Sequence, residues 1–355
     1  MKKTLGCIAG ALLALALISP AQAWNRNPAT TFATLPSGAT TPEGITVDSA
    51  GDVYVTTFGF PDSGPAATGE VVVFAPNGKF LRKLDVTGAS PHLLGLAFHP
   101  TTKQLLVLDF GAGKVLNVDP QTGAATVFAD IGAACPSTPP CVNPTGLNAL
   151  TFDTTGNVYI SDSFNGIIWR TDSLGGGIVS WVADPLHLLQ TTGKPPFGAN
   201  GLAFNNAGTA LFVANTGDDS VVKIPVSGGV AGTPVVLAYS INGADGLIID
   251  ASDNVWVCAN QSDEIVVIDP TGKVIAKLGD FNGIDNQGAA RGLLFPASLV
   301  FSGNFVLVTN LALDLGTVFG IPTVDSQWAA QVTRYTVSKI NRNLAPNTQG
   351  GGRGR

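Results

Sequence analysis

A pattern of one variable residue, one small residue and then an apolar run recurs six times along the chain. The copies are Glu43-Gly44-Ile45-Thr46-Val47, Leu94-Gly95-Leu96-Ala97-Phe98, Asn148-Ala149-Leu150-Thr151-Phe152, Asn200-Gly201-Leu202-Ala203-Phe204, Asp245-Gly246-Leu247-Ile248-Ile249 and Ala297-Ser298-Leu299-Val300-Phe301. Each apolar run reads as a buried strand. The leading residues are separated by steps of 51, 54, 52, 45 and 52 residues. Four strand-like pieces fill each step; in the fourth they fall at 201–204, 210–214, 220–225 and 234–239. Asx/Gly turns such as Asn205-Asn206-Ala207-Gly208 join them. The pattern predicts no helix anywhere.

A period near 50 with four antiparallel strands per unit predicts an all-β fold, a six-bladed β-propeller of four-stranded blades. The sixth repeat supplies three strands, expected at 299–301, 305–309 and 332–337. An N-terminal strand at 31–35 is expected to complete that last blade and close the ring. The expected organisation is a signal peptide at 1–23, one propeller domain at 24–340 and a disordered C-terminal tail at 341–355.

Composition sets the compartment. Lys2 and Lys3 precede an apolar run, and Ala21-Gln22-Ala23 supplies an A-x-A cleavage signal, so export is expected, to a periplasm or as a secreted protein. No other stretch is long and apolar enough to insert in a membrane. A net charge of −6, made more acidic by loss of the leader lysines, argues against nucleic acid as a partner. Cys135 and Cys141 bracket a short loop that an oxidising compartment allows to close as a disulfide, whereas Cys258 sits in an apolar strand.

In a propeller the six leading residues gather around one mouth of the central channel. The long loops at 131–147, 184–199, 280–296, 59–68 and 311–331 fall on that same face, where they would wall a site. Glu43, Asn148, Asn200 and Asp245 bring two carboxylates and two amide oxygens to the ring, while Leu94 and Ala297 bring none. Oxygen donors of this kind suit Ca2+, and no ring position is a His or Cys to favour zinc. Turn capping explains any one of these residues. Four of them at equivalent positions point to a metal.

Pro42-Glu43-Gly44, Asn148, Asn200-Gly201-Leu202 and Asp245-Gly246 resemble the calcium-binding positions of the gluconolactonase/regucalcin (senescence marker protein) family. The Glu, Asn, Asn, Asp order also resembles diisopropyl fluorophosphatase and, more distantly, paraoxonase. The resemblance implies calcium held by Glu43, Asn148, Asn200 and Asp245. It also implies hydrolysis of a lactone, another ester or an organophosphate, with Asp245 as general base or nucleophile.

The residues support that chemistry on their own terms. A bound cation polarises a carbonyl, and the ring carboxylates are the nearest bases. There is no G-x-S-x-G motif. Asp245, Glu43 and His92 are the catalytic candidates, His92 as a proton shuttle; Arg291 and His187 are weaker ones. Leu93-Leu94 stands where sugar-lactone enzymes carry polar residues, which suggests a less hydrophilic substrate. A second polar set, Asp109, Asp162, Asn215 and Asn310, follows the second strands, with Thr57 in blade 1 and, in blade 5, Ala259 in register and Asn260 one place later. It reads mainly as turn capping, the alternative being that these residues orient the metal ligands. The expected function is that of an exported calcium-dependent hydrolase acting on a small-molecule ester or lactone. The alternatives are a non-catalytic NHL-like propeller with structural calcium that binds a ligand or protein, and a propeller lyase acting on cyclic esters.

Overall fold

The computed structural model describes residues 26–59, 68–135, 141–142, 144–191 and 195–344. The expectations for the signal peptide, for the loop segments 60–67, 136–140 and 192–194, and for the tail from 345 onward lie outside the described residues. Six antiparallel four-stranded blades form the fold. Blade 1 begins with Pro42–Val47, blade 2 with Leu93–Phe98, blade 3 with Leu147–Phe152, blade 4 with Ala199–Phe204, blade 5 with Ala244–Ile249 and blade 6 with Pro296–Ser302. Each of these inner strands touches the inner strands of both neighbouring blades, and the sixth touches the first, so the ring is closed.

Closure uses the N-terminal strand Thr30–Thr34, which pairs antiparallel with Thr336–Asn341 on the outside of blade 6. The third strand of that blade is not the 332–337 expected from its apolar pattern. It begins at Thr336 and runs to Asn341, one residue into the segment expected to be tail. Val332 is buried instead against Ala290, Leu294 and Ala312, in the mouth-side segment that precedes the strand. The 280–296 connection also carries an unexpected small hairpin, Phe281–Ile284 with Ala290–Gly292.

The expectation of no helix needs a small correction. Among the described residues three short helices, α1 (Ile131–Ala134), α2 (Leu315–Phe319) and α3 (Ser326–Ala329), lie in mouth-side connections. Asp314 starts α2 by accepting the amides of Gly316 and Thr317, and Gly320, in the left-handed region, ends it. No helix among the described residues is long and apolar enough to cross a membrane. Between blades the core is mostly Val, Ile, Leu and Ala, with Phe212 and Tyr54 among them, packed from neighbouring sheets. Cys135 and Cys141 form a disulfide, and Cys258 is a free, buried thiol.

Candidate metal centre

Every inner strand carries the same irregularity. Its ladder with the second strand skips between the residue before the leading position and the second residue after it, for example Pro42/Ile45 in blade 1 and Ala244/Leu247 in blade 5. The other four blades repeat the skip. A bulge bends its strand and re-aims one side chain; here it falls at the leading residue. The small residue that follows has a separate cause. A Cβ on Gly44 would sit 2.4 Å from the Leu94 carbonyl oxygen, and one on Gly201 would sit 2.5 Å from that of Asp245. Neighbouring inner strands therefore meet backbone to backbone at the ring.

Hydroxyls on second strands tie the bulges together. Thr56 Oγ1 accepts the Gly44 amide at 2.8 Å and donates to the Leu94 carbonyl at 2.6 Å. Thr309 Oγ1 accepts the Ser298 amide and donates to the Glu43 carbonyl at 2.6 Å, joining blade 6 to blade 1.

Glu43, Asn148, Asn200 and Asp245 line one cavity of ≈ 40 Å³, with Leu94 from the ring and Phe58, Thr216 and Asn260 from second-strand ends. A cavity of this size holds roughly three waters or an ion with its residual water. The four polar ring residues are each 4–6% exposed. Asn260 Nδ2 donates to Asp245 Oδ2 at 2.9 Å, while Asp245 Oδ1 and Glu43 Oε2 are buried without a hydrogen-bond partner. Asn200 gives its Nδ2 to Thr216 Oγ1 at 2.9 Å, and Thr216 in turn donates to the Ala244 carbonyl. The amide oxygen of Asn200 is thereby left for the cavity.

Burial pushes both carboxyls upward. Asp245 is raised to about 7, with Asn260 and Asn200 pulling the other way. Glu43 is raised well above the usual carboxylate range by burial and then by the Asp245 charge. Two desolvated acids with orphaned oxygens are costly unless a proton stays or a cation neutralises them. The donor set of two carboxylates and two amide oxygens fits a hard divalent cation. Among the described residues there is no cluster of three or more His, Cys, Asp and Glu, in keeping with a ring half made of amides.

Asn260, expected as the displaced blade 5 member of the second polar set, holds Asp245 as that set's alternative reading has it, whereas Thr216 has no counterpart among the sequence expectations, although its offset is regular. Both occupy the position just after each second strand's last ladder partner, where the other blades have Phe58, Phe110, Ser163 and Leu311. The backbone amide at all six positions donates to the loop that enters its own blade. One residue earlier, the second polar set holds those loops. Asp109 takes the Ser90 amide, Asp162 the Gly146 amide and Asn310 the Leu294 amide, while Asn215 donates to the His187 and Leu189 carbonyls.

The remaining candidates stand outside the cavity. His92 is half-buried, with its ring 5.3 Å from that of Phe58, and burial lowers its pKa, so it is neutral near pH 7. His187 Nδ1 pairs with Asp184 Oδ2 at 3.0 Å in the connection before blade 4. Arg291 donates to the Asn282 carbonyl within the small hairpin. The channel's opposite end is a wider cavity of ≈ 570 Å³ that carries none of the ring carboxylates.

A family model described as SMP-30/Gluconolactonase/LRE-like region matches residues 87–279, more than half of the chain. The chain belongs to this family of six-bladed propellers. A search of curated proteins gives no match. Among solved structures, a calcium-binding protein, regucalcin, from Agrobacterium tumefaciens is similar at 17% identity and a TM-score of 0.60, over 89% of this chain and 98% of that one. A gluconolactonase from Xanthomonas campestris is similar at 15% identity and 0.59, over 81% and 93%. Virginiamycin B lyase from Staphylococcus aureus is similar at 15% and 0.50, over 76% and 78%. At these identities the likeness is one of fold, and the fold hosts more than one chemistry.

Proposed function

We propose that this protein is an exported, calcium-dependent hydrolase of lactones or related esters. The observation that carries the reading is the pair of orphaned carboxylate oxygens, Glu43 Oε2 and Asp245 Oδ1, in one buried cavity with two amide ligands. Membership of the gluconolactonase-like family supports a lactonase-type hydrolase in general.

Glu43, Asn148, Asn200 and Asp245 would hold the ion, which when bound supplies polarisation of a carbonyl oxygen. The chain's own residues do the rest. Asn260 fixes the Asp245 carboxylate through Oδ2 and leaves Oδ1 to take a proton from an attacking water. Thr216 fixes Asn200. The buried walls exclude bulk water, which strengthens every charge interaction at the reacting centre. His92 stands outside the cavity behind the Phe58 ring, so as a proton shuttle it would act through water at the mouth; its neutral form is the one able to accept the proton.

One observation favours a non-catalytic calcium-stabilised propeller instead. The ring cavity is small and covered by an apolar cluster that includes Phe295, Leu311, Leu313 and Leu315. Hydrolysis of a panel of lactones and aryl esters separates the two readings. It is run with calcium, after chelation, and with Asp245→Asn. The hydrolase reading expects turnover that chelation abolishes, calcium restores and the variant lacks. No turnover, with chelation lowering only the melting temperature, would establish the binding propeller.

A further inference from the structure

The mouth is divided by polarity. In the ring, blades 3, 4 and 5 present Asn148, Asn200 and Asp245, whereas blades 6, 1 and 2 present Ala297, Glu43 and Leu94. The next layer outward divides along the same line. Its six equivalent positions, fixed by the same backbone hydrogen bond, are Ser163, Thr216 and Asn260 on blades 3–5 and Leu311, Phe58 and Phe110 on blades 6, 1 and 2. Glu43 is the single polar side chain of either layer on the apolar half.

From that half an aromatic row starts at blades 1 and 2 and crosses the mouth to the end of blade 3's second strand and the connection that enters blade 4. Phe58, a wall of the ring cavity, meets Phe110 edge-on at 5.4 Å. Phe110 meets Phe164 at 5.4 Å, and Phe164 stacks on Phe197 at 5.7 Å. Phe197 meets Phe319 of α2 at 5.7 Å, and Phe319 is 36% exposed. Phe58 and Phe197 both line the ring cavity, and the row ends at the surface with Phe319.

We infer that the substrate is an ester or lactone with an alkyl or aryl body, its carbonyl over blades 3–5 and its body along the Phe58–Phe319 row. The carbonyl placement rests on the hydrolase reading above; the selection for an apolar body rests on the row. A polyhydroxylated sugar lactone would set hydroxyls against Leu94, Phe58 and Leu311, which offer no side-chain partner, and each unpaired hydroxyl opposes binding. An apolar body meets Phe58, Leu311 and Leu313 without leaving a polar group of its own unpaired.

The test uses δ-lactones of increasing alkyl chain length alongside δ-gluconolactone, on the calcium-loaded protein. Both kcat/KM and, independently of turnover, calorimetric affinity are read. The expected result is a rise of about threefold to fourfold per methylene in either quantity, with the sugar lactone at least about tenfold below the alkyl lactones. Phe110→Ser should flatten the rise, while Leu94→Asn should narrow the gap to the sugar lactone; melting curves verify that both variants fold. A flat chain-length series, or a sugar lactone bound as well as the alkyl ones, overturns the inference. Affinity that rises with chain length without any turnover sustains the apolar-body selection and sinks the hydrolase reading instead.

Discussion

At the level of single residues, Glu43 and Asp245 make the sharpest prediction. In the cation-free protein Asp245 titrates near 7, against 3.8 for an unperturbed aspartate. Between about pH 4 and 7 the folded chain therefore holds a proton that the unfolded chain has released, so stability falls as pH rises through that window. Glu43 is shifted in the same direction and deepens the fall. A divalent cation binds the ionised pair, so the stabilisation it confers should grow across the same window. Glu43→Gln removes one of the two acids. In chelator at pH 8 it should be more stable than wild type, with a shallower pH dependence and a smaller calcium-induced rise in melting temperature. Identical pH profiles for the two proteins would mean that the carboxylates do not share a site. The ring was legible in the sequence because its leading residue and the small residue after it recur together. Asn260 was legible as the polar residue one place beyond Ala259, whereas Thr216 was not. Both sit among Phe58, Phe110, Ser163 and Leu311, a set whose common position is set by backbone hydrogen bonding and not by residue type.

The blade strands were legible for an elementary reason: an apolar run bounded by Asx and Gly turns has few other ways to satisfy its backbone. The third strand of blade 6 misled because Val332 is apolar for the sake of the mouth-side cluster and not for the sheet. The six bulges have no residue-type signature of their own, since each is a property of the pairing between two strands. What holds them is testable. Thr309 closes blade 6 onto blade 1 with one hydroxyl that serves both the Ser298 amide and the Glu43 carbonyl. Thr309→Val keeps the shape and strands both partners in a buried setting, a cost of about 1–3 kcal/mol. Because one partner is the backbone of a ring residue, calcium affinity should fall along with stability. Thr309→Ser, which keeps the hydroxyl, should restore both. Chemical denaturation and calcium titration of the three proteins decide the matter, and an unaltered calcium affinity in Thr309→Val would show that the tie is structural only.

For the whole molecule, the question is what keeps the ring shut. Strand Thr30–Thr34 completes blade 6 and also packs on blade 1, where Ala33 and Leu35 share a buried cluster with Val55, Val72 and Phe74. This junction is built like three of the others. The glycine in the turn between the third and fourth strands abuts a carbonyl of the preceding blade's outer strand: Gly123 at Asp85, Gly175 at Phe128, Gly272 at Leu237 and Gly78 at Phe32. The last of these carbonyls belongs to the N-terminal strand, so chain closure reproduces an ordinary blade interface without a covalent link. Two changes should therefore act through one event. Truncation before Leu35 removes the strand and leaves Thr336–Asn341 as an open edge. Gly78→Ala keeps the strand but places a Cβ 2.1 Å from the Phe32 oxygen. It also forces alanine to a φ of +84°, which adds about 1–2 kcal/mol of its own. Each should lower the melting temperature as a single cooperative step, because the blades share their buried clusters with their neighbours. In the truncated protein the clash partner is gone, so Gly78→Ala should cost only its backbone strain there. The double mutant should then be clearly less destabilised than the sum of the two single changes. Additive losses would mean that the N-terminal strand and blade 1 do not meet through Gly78, and that the ring is held closed by its inner strands alone.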